Sequence, residues 1–387
     1  MTLREEVTGI LPETIEMRRY LHSHPELSGQ EVCTRAYVCE KLQSWSIPYR
    51  CCVSNLGVVA DIGQGSPCVA LRVDMDALPI QEQTDLPFAS QTPGVMHACG
   101  HDIHTAVLLA VAKLLKQRES TLTGTVRLLF QPAEETTGGA ADMIGEGCME
   151  DPKVNAVLGF HVDPSLPSGC AAFFKGTMNA AVTDFTLTVR GKGCHGAHPE
   201  KGVDAIVAAA QTVTALQSVV SRSIAPTDSG VVTIGTISGG TKENIVADKV
   251  TMTGTIRALT PQIQKRLKDS VQRIAEHTAA AFGAEVDVCM EDLYPALIND
   301  AALTDSIYGL AQELLGQEQA VQIKEPSLGA DDFAFFSQRV PGCYFNVGAR
   351  TEGLTGQTLH SPAVVLNEAS METAILLLAA GALACLL

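Results

Sequence analysis

Residues 68–80 read CVALRVDMDALPI. Apart from Arg72, positions 68–73 are an unbroken apolar run. A run of that length suits a strand covered on both faces. Asp74 and Asp76 stand where such a strand should end. A second strand is expected at 58–62, split from the first by a Gly-Ser-Pro turn. Downstream, residues 125–135 read TVRLLFQPAEE, a third strand running into Glu134 and Glu135. A helix-like segment follows, then an apolar run at 156–160 that ends in His161. Strands separated by helices predict an α/β fold with a mostly parallel sheet. In such sheets ligands bind outside the carboxyl ends of the strands. Asp74, Glu134, Glu135 and His161 are all expected there, so separate strands would aim carboxylates and an imidazole at one rim. Neighbouring glutamates on a strand point to opposite faces. QPAEE must therefore bend at the strand end if both are to act at one place, and Pro132 favours a bend.

Between these strands lies MHACGHDIHTA, Met96 to Ala106. It crowds three histidines, a cysteine and an aspartate after a Pro-Gly turn and before an apolar run at 106–115 that reads as a helix. These residue types suggest metal ligation. A structural zinc site would show paired short spacings such as CxxC, and none is present. Further ligands must come from distant segments, which suits a catalytic site better than a structural one. The same residues also suit a helix start with polar caps and a buried cysteine.

The chain has 387 residues, 46% hydrophobic and 18% charged, with a formal net charge of −16. That length suggests two domains or one large one. No basic stripe is present, so neither nucleic acid nor an anionic membrane is expected as a partner. The 12 cysteines are scattered over a chain too long for a disulfide scaffold. The first residues carry no signal-peptide pattern. A cytoplasmic protein with reduced thiols is expected. The apolar stretch 375–387 is shorter than the roughly 20 residues a spanning helix needs and reads as a buried helix.

A first helix is expected at 12–22, with Pro12 at its start. His22 and His24 follow in HSHPEL and read equally as helix-end polar groups. From about residue 180 the texture changes. Residues 182–190, VTDFTLTVR, alternate as a half-exposed strand does. GKGCHGAHPEKG comes next, then a helix at 203–220, strands at 231–238 and 249–258, a long amphipathic helix opened by Pro261, and a strand at 285–290. The order βαββαβ is that of a ferredoxin-like unit, read as an insertion at 181–293. The flanking parts, 1–180 and 294–387, form one domain, to which the chain returns with another loop histidine, His360, in LHSP.

Taken together, MHACGHD, FQPAEE, GFHV, GKGCHGAHP, GADDF and LHSP resemble the aminoacylase/carboxypeptidase G metallopeptidase family. They are most similar to its amidohydrolase branch, which includes hippurate hydrolases and plant indole-acetyl-amino-acid hydrolases. The resemblance implies a metallohydrolase domain carrying two divalent ions, zinc, manganese or cobalt, and an inserted lid and dimerisation domain. By motif position Cys99 would bridge both ions where other branches use an aspartate. His101, Glu135, His161 and His360 would complete the ligand set, and Glu134 would be the general base. Other branches carry a histidine where this chain has Arg72, and His101 would supply that imidazole. His195, rather than His198, matches the histidine that stabilises the oxyanion from the partner subunit of a homodimer. Asn244 matches an asparagine that contacts the substrate, although Ala247 replaces the family's usual proline nearby. Arg257 and Gly329 would also meet substrate, and Asp332 would orient neighbours. Asp74, Asp102 and His104 would orient ligands.

The implied activity is hydrolysis of N-acyl-L-amino acids, with acetyl, benzoyl or aryl-acetyl groups, to a carboxylic acid and a free amino acid. A dipeptidase or carboxypeptidase on the same scaffold is the alternative, since fold does not set substrate. A protein that binds amides or metal without turnover would be expected to lack ligands or the base, and none is missing.

Overall fold

The computed structural model describes residues 2–136, 138–354 and 356–387. The chain divides into two compact units. One comprises Met1–Gly176, Ile298–Glu325 and Asp332–Leu387, and the other Thr177–Leu297 with Pro326–Asp331.

The first unit is built on an eight-stranded sheet. Its early strands are β1 (Tyr49–Cys52), β2 (Gly57–Gly63), β3 (Cys68–Asp74), β4 (Thr125–Gln131), β5 (Ala156–Pro167) and β6 (Ala171–Phe173). Across the sheet the order is β1, β2, β4, β3, β5, then Gly342–Arg350, β6 and Ala320–Gln322. The pairs β3–β4, β3–β5, β5 with Gly342–Arg350, and β6 with Ala320–Gln322 are parallel. Every residue of β3 and β4 is buried, as continuous apolar strands in the middle of a covered sheet require.

The helices covering this sheet are α1 (Leu3–Ser23), α2 (Val32–Ser44), α3 (His101–Gln117) and the C-terminal helix Ser370–Cys385. Helix α3 packs on α1, on β3 and on the C-terminal helix. Past its polar first turn it is apolar from Ala106 to Ala112, and it is buried from His101 to Ala112, the pattern of a core helix rather than a surface one. The apolar C-terminal stretch is likewise a buried helix, and no helix among the described residues is long and apolar enough to cross a membrane. All 12 cysteines are free thiols.

Two elements differ from the sequence reading. The first helix starts at Leu3, not at Pro12, which lies inside it. Thr2 caps it: Glu5 N donates to Thr2 Oγ1 at 3.3 Å and Thr2 N donates to Glu5 Oε2 at 2.7 Å. That reciprocal cap, with Val7 and Ile10 buried, outweighs the hydrogen bond that an interior proline removes. Strand β5 does not stop at His161 but runs on to Pro167. Its pairing with β3 ends at Gly159 while its pairing with Gly342–Arg350 continues through Asp163. His161 thus lies past the last residue that β3 pairs, with one neighbouring strand instead of two.

The second unit contains an antiparallel sheet in the order Gly230–Gly239, Lys249–Ala258, Ala181–Arg190, Glu285–Tyr294. The helices Ala205–Ser223 and Pro261–Ala281 pack on it and on each other. Asp204 and Thr260 cap their first turns. Leu187, Val250, Met252, Leu216 and Leu267 form part of a separate core there.

Candidate metal centre

The site gathers where the chain leaves β3 and β4 and where β5 outruns its pairing with β3. Gly100 precedes α3 with φ 89°, a left-handed conformation that favours glycine. A Cβ there would collide with Val162 and Leu366. The tight turn puts Cys99 at the end of the loop and His101 on the first turn of α3. Past β4, Ala133 has φ 58°. This is the bend expected in QPAEE, and Glu134 and Glu135 follow it. His360, also at positive φ (62°), is tied to the same loop, its N–H donating to Ala98 O at 3.0 Å.

Two groups of ligand atoms result, and Cys99 belongs to both. Cys99, His101 and His161 offer atoms that all lie within 4.8 Å of one another, and so do Cys99, Glu135 and His360. Cys99 Sγ stands 3.4 Å from His161 Nε2 and 3.3 Å from His360 Nε2. His360 Nε2 is 3.3 Å from Glu135 Oε1. Glu134 forms a third such group with His101 and Glu135, and it is buried.

The hydrogen bonds behind these atoms orient them. His101 Nδ1 lies 2.9 Å from Asp76 O and 3.2 Å from Asp76 Oδ1, so that nitrogen carries a proton and Nε2 is the one turned toward the other ligand atoms. His161 Nδ1 donates to Val162 O at 2.8 Å, and its Nε2 is turned toward Cys99 Sγ. His101 Nε2 and Glu135 Oε1 are buried and make no hydrogen bond. Buried polar atoms are normally satisfied. Imidazole nitrogens, a carboxylate and a thiol sulfur converging on one place, two of their buried atoms without a hydrogen-bond partner, are a donor set that fits divalent cations. Burial pushes the Cys99 thiol well up, with His101 opposing. Burial pulls His101 down, but Asp74 and Cys99 outweigh it and hold it well above the usual range. A nearby cation would stabilise the thiolate.

A ring of buried residues supports this set. His104 Nδ1 donates to Asp74 Oδ1 at 2.6 Å, and Val162 N donates to His104 Nε2 at 3.1 Å. Burial holds His104 down at about 4, so it is neutral, as those two bonds require. Asp74 also accepts from Arg72 at 2.8 Å, and Arg72 donates to Asp332 at 2.5 Å. Asp102 accepts from Arg18 at 2.7 Å and stands 2.8 Å from His22 Nδ1. His22 is thus a buried, paired residue, and its Nε2 lies 3.3 Å from Glu82. The sequence reading missed the role of Asp76, which accepts from Glu135 N at 2.9 Å and Ser28 Oγ at 2.6 Å. Its signal was its place beside Asp74 at the end of β3. His97 is buried, as expected of a structural residue, with its titration pulled down to about 4 by burial.

The remaining candidates belong to the second unit. His195 is exposed on a two-residue strand, Cys194–His195, that pairs with Ile245–Val246. Gly196 N donates to Asn244 O at 2.8 Å. His195 and Asn244 therefore sit side by side although 49 positions part them in the chain. Arg257 lies near the end of the interior strand Lys249–Ala258, paired with Val231 and Val182. Gly329 lies in the segment Pro326–Asp331, and its carbonyl accepts from Ala180 N at 2.9 Å.

The family described as peptidase family M20/M25/M40 matches residues 70–383. N-acetyl-L-cysteine deacetylase of Bacillus subtilis (strain 168) is 38% identical over 378 residues, covering 96% of this chain and 89% of its own length. IAA-amino acid hydrolase ILR1-like 4 of Arabidopsis thaliana is 39% identical over 360 residues, covering 92% of this chain and 81% of its own. The crystal structure of the Bacillus subtilis YXEP protein, described as a dinuclear metal binding peptidase from the M20 family, superposes with a TM-score of 0.85. It has 35% sequence identity and covers 98% of this chain and 99% of that one.

Proposed function

The chain belongs to peptidase family M20/M25/M40 and is a metal amidohydrolase, and from that premise we propose that it hydrolyses N-acyl-L-amino acids to a carboxylic acid and a free amino acid. The observation that carries this reading is Cys99 shared between two ligand groups, with Glu134 beside them. Two relatives are named for acylated amino acids, N-acetyl-L-cysteine and an IAA-amino acid, which supports acylated amino acids as the substrate class; acetyl, benzoyl and aryl-acetyl groups are the acyl groups proposed.

In this reading Cys99, His101, Glu135, His161 and His360 would hold two divalent ions, zinc, manganese or cobalt, with Cys99 the residue common to both ligand groups. Bound there, the ions would acidify a water and polarise the amide carbonyl. Glu134 takes the proton of the attacking water on its carboxylate and delivers it to the nitrogen of the leaving amine. His195 donates an imidazole N–H to the developing oxyanion, the kind of preorganised donor that acts most strongly, and does so from the partner subunit of a homodimer. Asn244 meets the carboxylate end of the substrate or its reacting carbonyl, with Arg257 and Gly329 as further substrate contacts. Residues 181–293 serve as a ferredoxin-like lid and dimerisation domain, and 1–180 with 294–387 as the catalytic domain. In the sheet of the second unit the first and third strands in chain order lie in the middle and the second and fourth at the edges, which supports the ferredoxin-like part of this reading.

The test is release of free amino acid from N-acyl-amino acids and from plain dipeptides, after chelation and again with zinc, manganese or cobalt. Cleavage is expected to vanish with chelator, to return with metal, and to be faster on the acylated substrates. Glu134→Gln is expected to lower kcat by about 10²- to 10⁴-fold with metal still bound. A dipeptidase or carboxypeptidase is the second reading, favoured by the description of the YXEP structure as a peptidase. Faster turnover of dipeptides would establish it in place of the first.

A further inference from the structure

Glu31 is fully buried and belongs to none of the ligand groups. It stands directly before α2, with its carbonyl accepting from Arg35 N at 3.0 Å, so its backbone is anchored by the helix it opens. Its Oε1 accepts a hydrogen bond from Ala133 N at 2.7 Å. Ala133 is the left-handed residue of the QPAEE bend. Two residues on, Asp76 accepts from Glu135 N at 2.9 Å. Behind the bend, Gly138 N and Gly139 N donate to Ala133 O at 3.0 and 3.3 Å. The bend is therefore gripped at three points, and among the described residues Glu31 is the side chain that holds the residue just before Glu134.

We infer that Glu31 is a positioning residue: its carboxyl oxygen locks Ala133 in the left-handed conformation that parts Glu134 from Glu135. The inference rests on the reading of Glu134 as the residue that moves the proton. An alanine gains nothing intrinsic from positive φ, so the surroundings must impose it. With the acceptor gone, the buried Ala133 N–H has no partner, and the chain can relax by returning Ala133 to negative φ. That rotation displaces Glu134 relative to Glu135, which Asp76 still holds. Burial raises the Glu31 carboxyl to about 7, with Asp76 adding to it and the Ala133 N–H opposing. Both protonation forms keep an oxygen able to accept from Ala133. A carboxamide keeps one as well.

The test compares Glu31→Gln, Glu31→Asp and Glu31→Met in the full chain loaded with zinc or manganese, with Glu134→Gln as reference. N-acetyl-L-cysteine and N-benzoylglycine are the probes. Glu31→Gln is expected to stay within about threefold of the parent kcat, because the acceptor survives. Glu31→Met is expected to lose about 10- to 100-fold in kcat, the scale of a misplacement near 1 Å, with KM and metal content little changed. Glu31→Asp, which draws the acceptor back by one methylene and stays polar, should fall in the same direction and serves if Glu31→Met does not fold. Parent-like kcat per metal-loaded site in both Glu31→Met and Glu31→Asp overturns the inference, because a purely structural residue would alter only the folded fraction. Equal loss in Glu31→Gln and Glu31→Met overturns it too, since charge and not the acceptor would then matter. Full activity in Glu134→Gln removes the reading of Glu134, and this inference with it.

Discussion

Arg72 has no contact with solvent, and its guanidinium is held by Asp74, Asp332 and Gln131. Asp332 in turn accepts from Gln131 Nε2 at 2.6 Å and Ala140 N at 3.1 Å. Removing one partner of a buried ion pair leaves the other charge uncompensated. Asp332→Ala is expected to destabilise the first unit by about 3–5 kcal/mol, read from the shift in its denaturant midpoint. A second buried carboxylate gives a pH dependence. Burial raises the pKa of Glu82, but hydrogen bonds from His22, Thr84 and Ser90 N overcome this and lower it from 4.5 to about 2. A depressed carboxyl contributes stability above its unfolded pKa and loses it as pH falls toward the folded one. Glu82→Gln, in chelated protein, should therefore cost up to about 3 kcal/mol near pH 6. The gap from the parent should narrow as pH falls below 4.5. An unchanging gap would show that Glu82 acts by shape and not charge. Neither network could be read from the chain. Arg72 appears there only as a residue unable to ligate, and the partner Asp332 lies 260 positions away. Glu31 likewise looks like an ordinary acidic residue, and the helix α2 that follows it is not among the elements expected from the pattern.

The bends that follow β4 and precede α3 decide what the elements present to the rim. Gly100→Ala should be severe. Its backbone is left-handed, and the added methyl meets Val162, next to His161, and Leu366. The expected outcome is loss of metal content together with a lower unfolding temperature; retention of full metal content would show that the loop can yield. Local pattern made most elements readable, because unbroken apolar runs and alternating runs follow directly from covered and half-covered strands. The strand 249–258 has the same bounds in the sequence pattern and in the structure. Where reading failed, tertiary terms had overridden a local signal. Pro12 looks like a helix start until Thr2 and Glu5 are seen to cap the helix earlier. His161 looks like a strand end because Phe160 closes the apolar run, yet the strand Gly342–Arg350 carries β5 further.

For the whole molecule, the assembly proposal has a direct check. If His195 serves the partner's site, Glu134→Gln and His195→Ala chains are each inactive alone. Mixed dimers would regain one complete site, with about a quarter of parental activity expected after random exchange at equal amounts. No recovery after verified mixing would place His195 in its own subunit's chemistry or in none.

The sheet order has a consequence for how the chain is made. Gly342–Arg350 lies between β5 and β6, although about half the chain separates it from them in sequence. Until that strand leaves the ribosome, β5 and β6 have an open gap between them, and His161 borders it. The second unit is contiguous apart from Pro326–Asp331 and can form while its host still waits. His360 emerges last of the five candidate ligands. A nascent chain should thus pass through a long interval with one folded body and one unfinished sheet. In that interval chaperones would find exposed strand edges, and metal would find an incomplete ligand set.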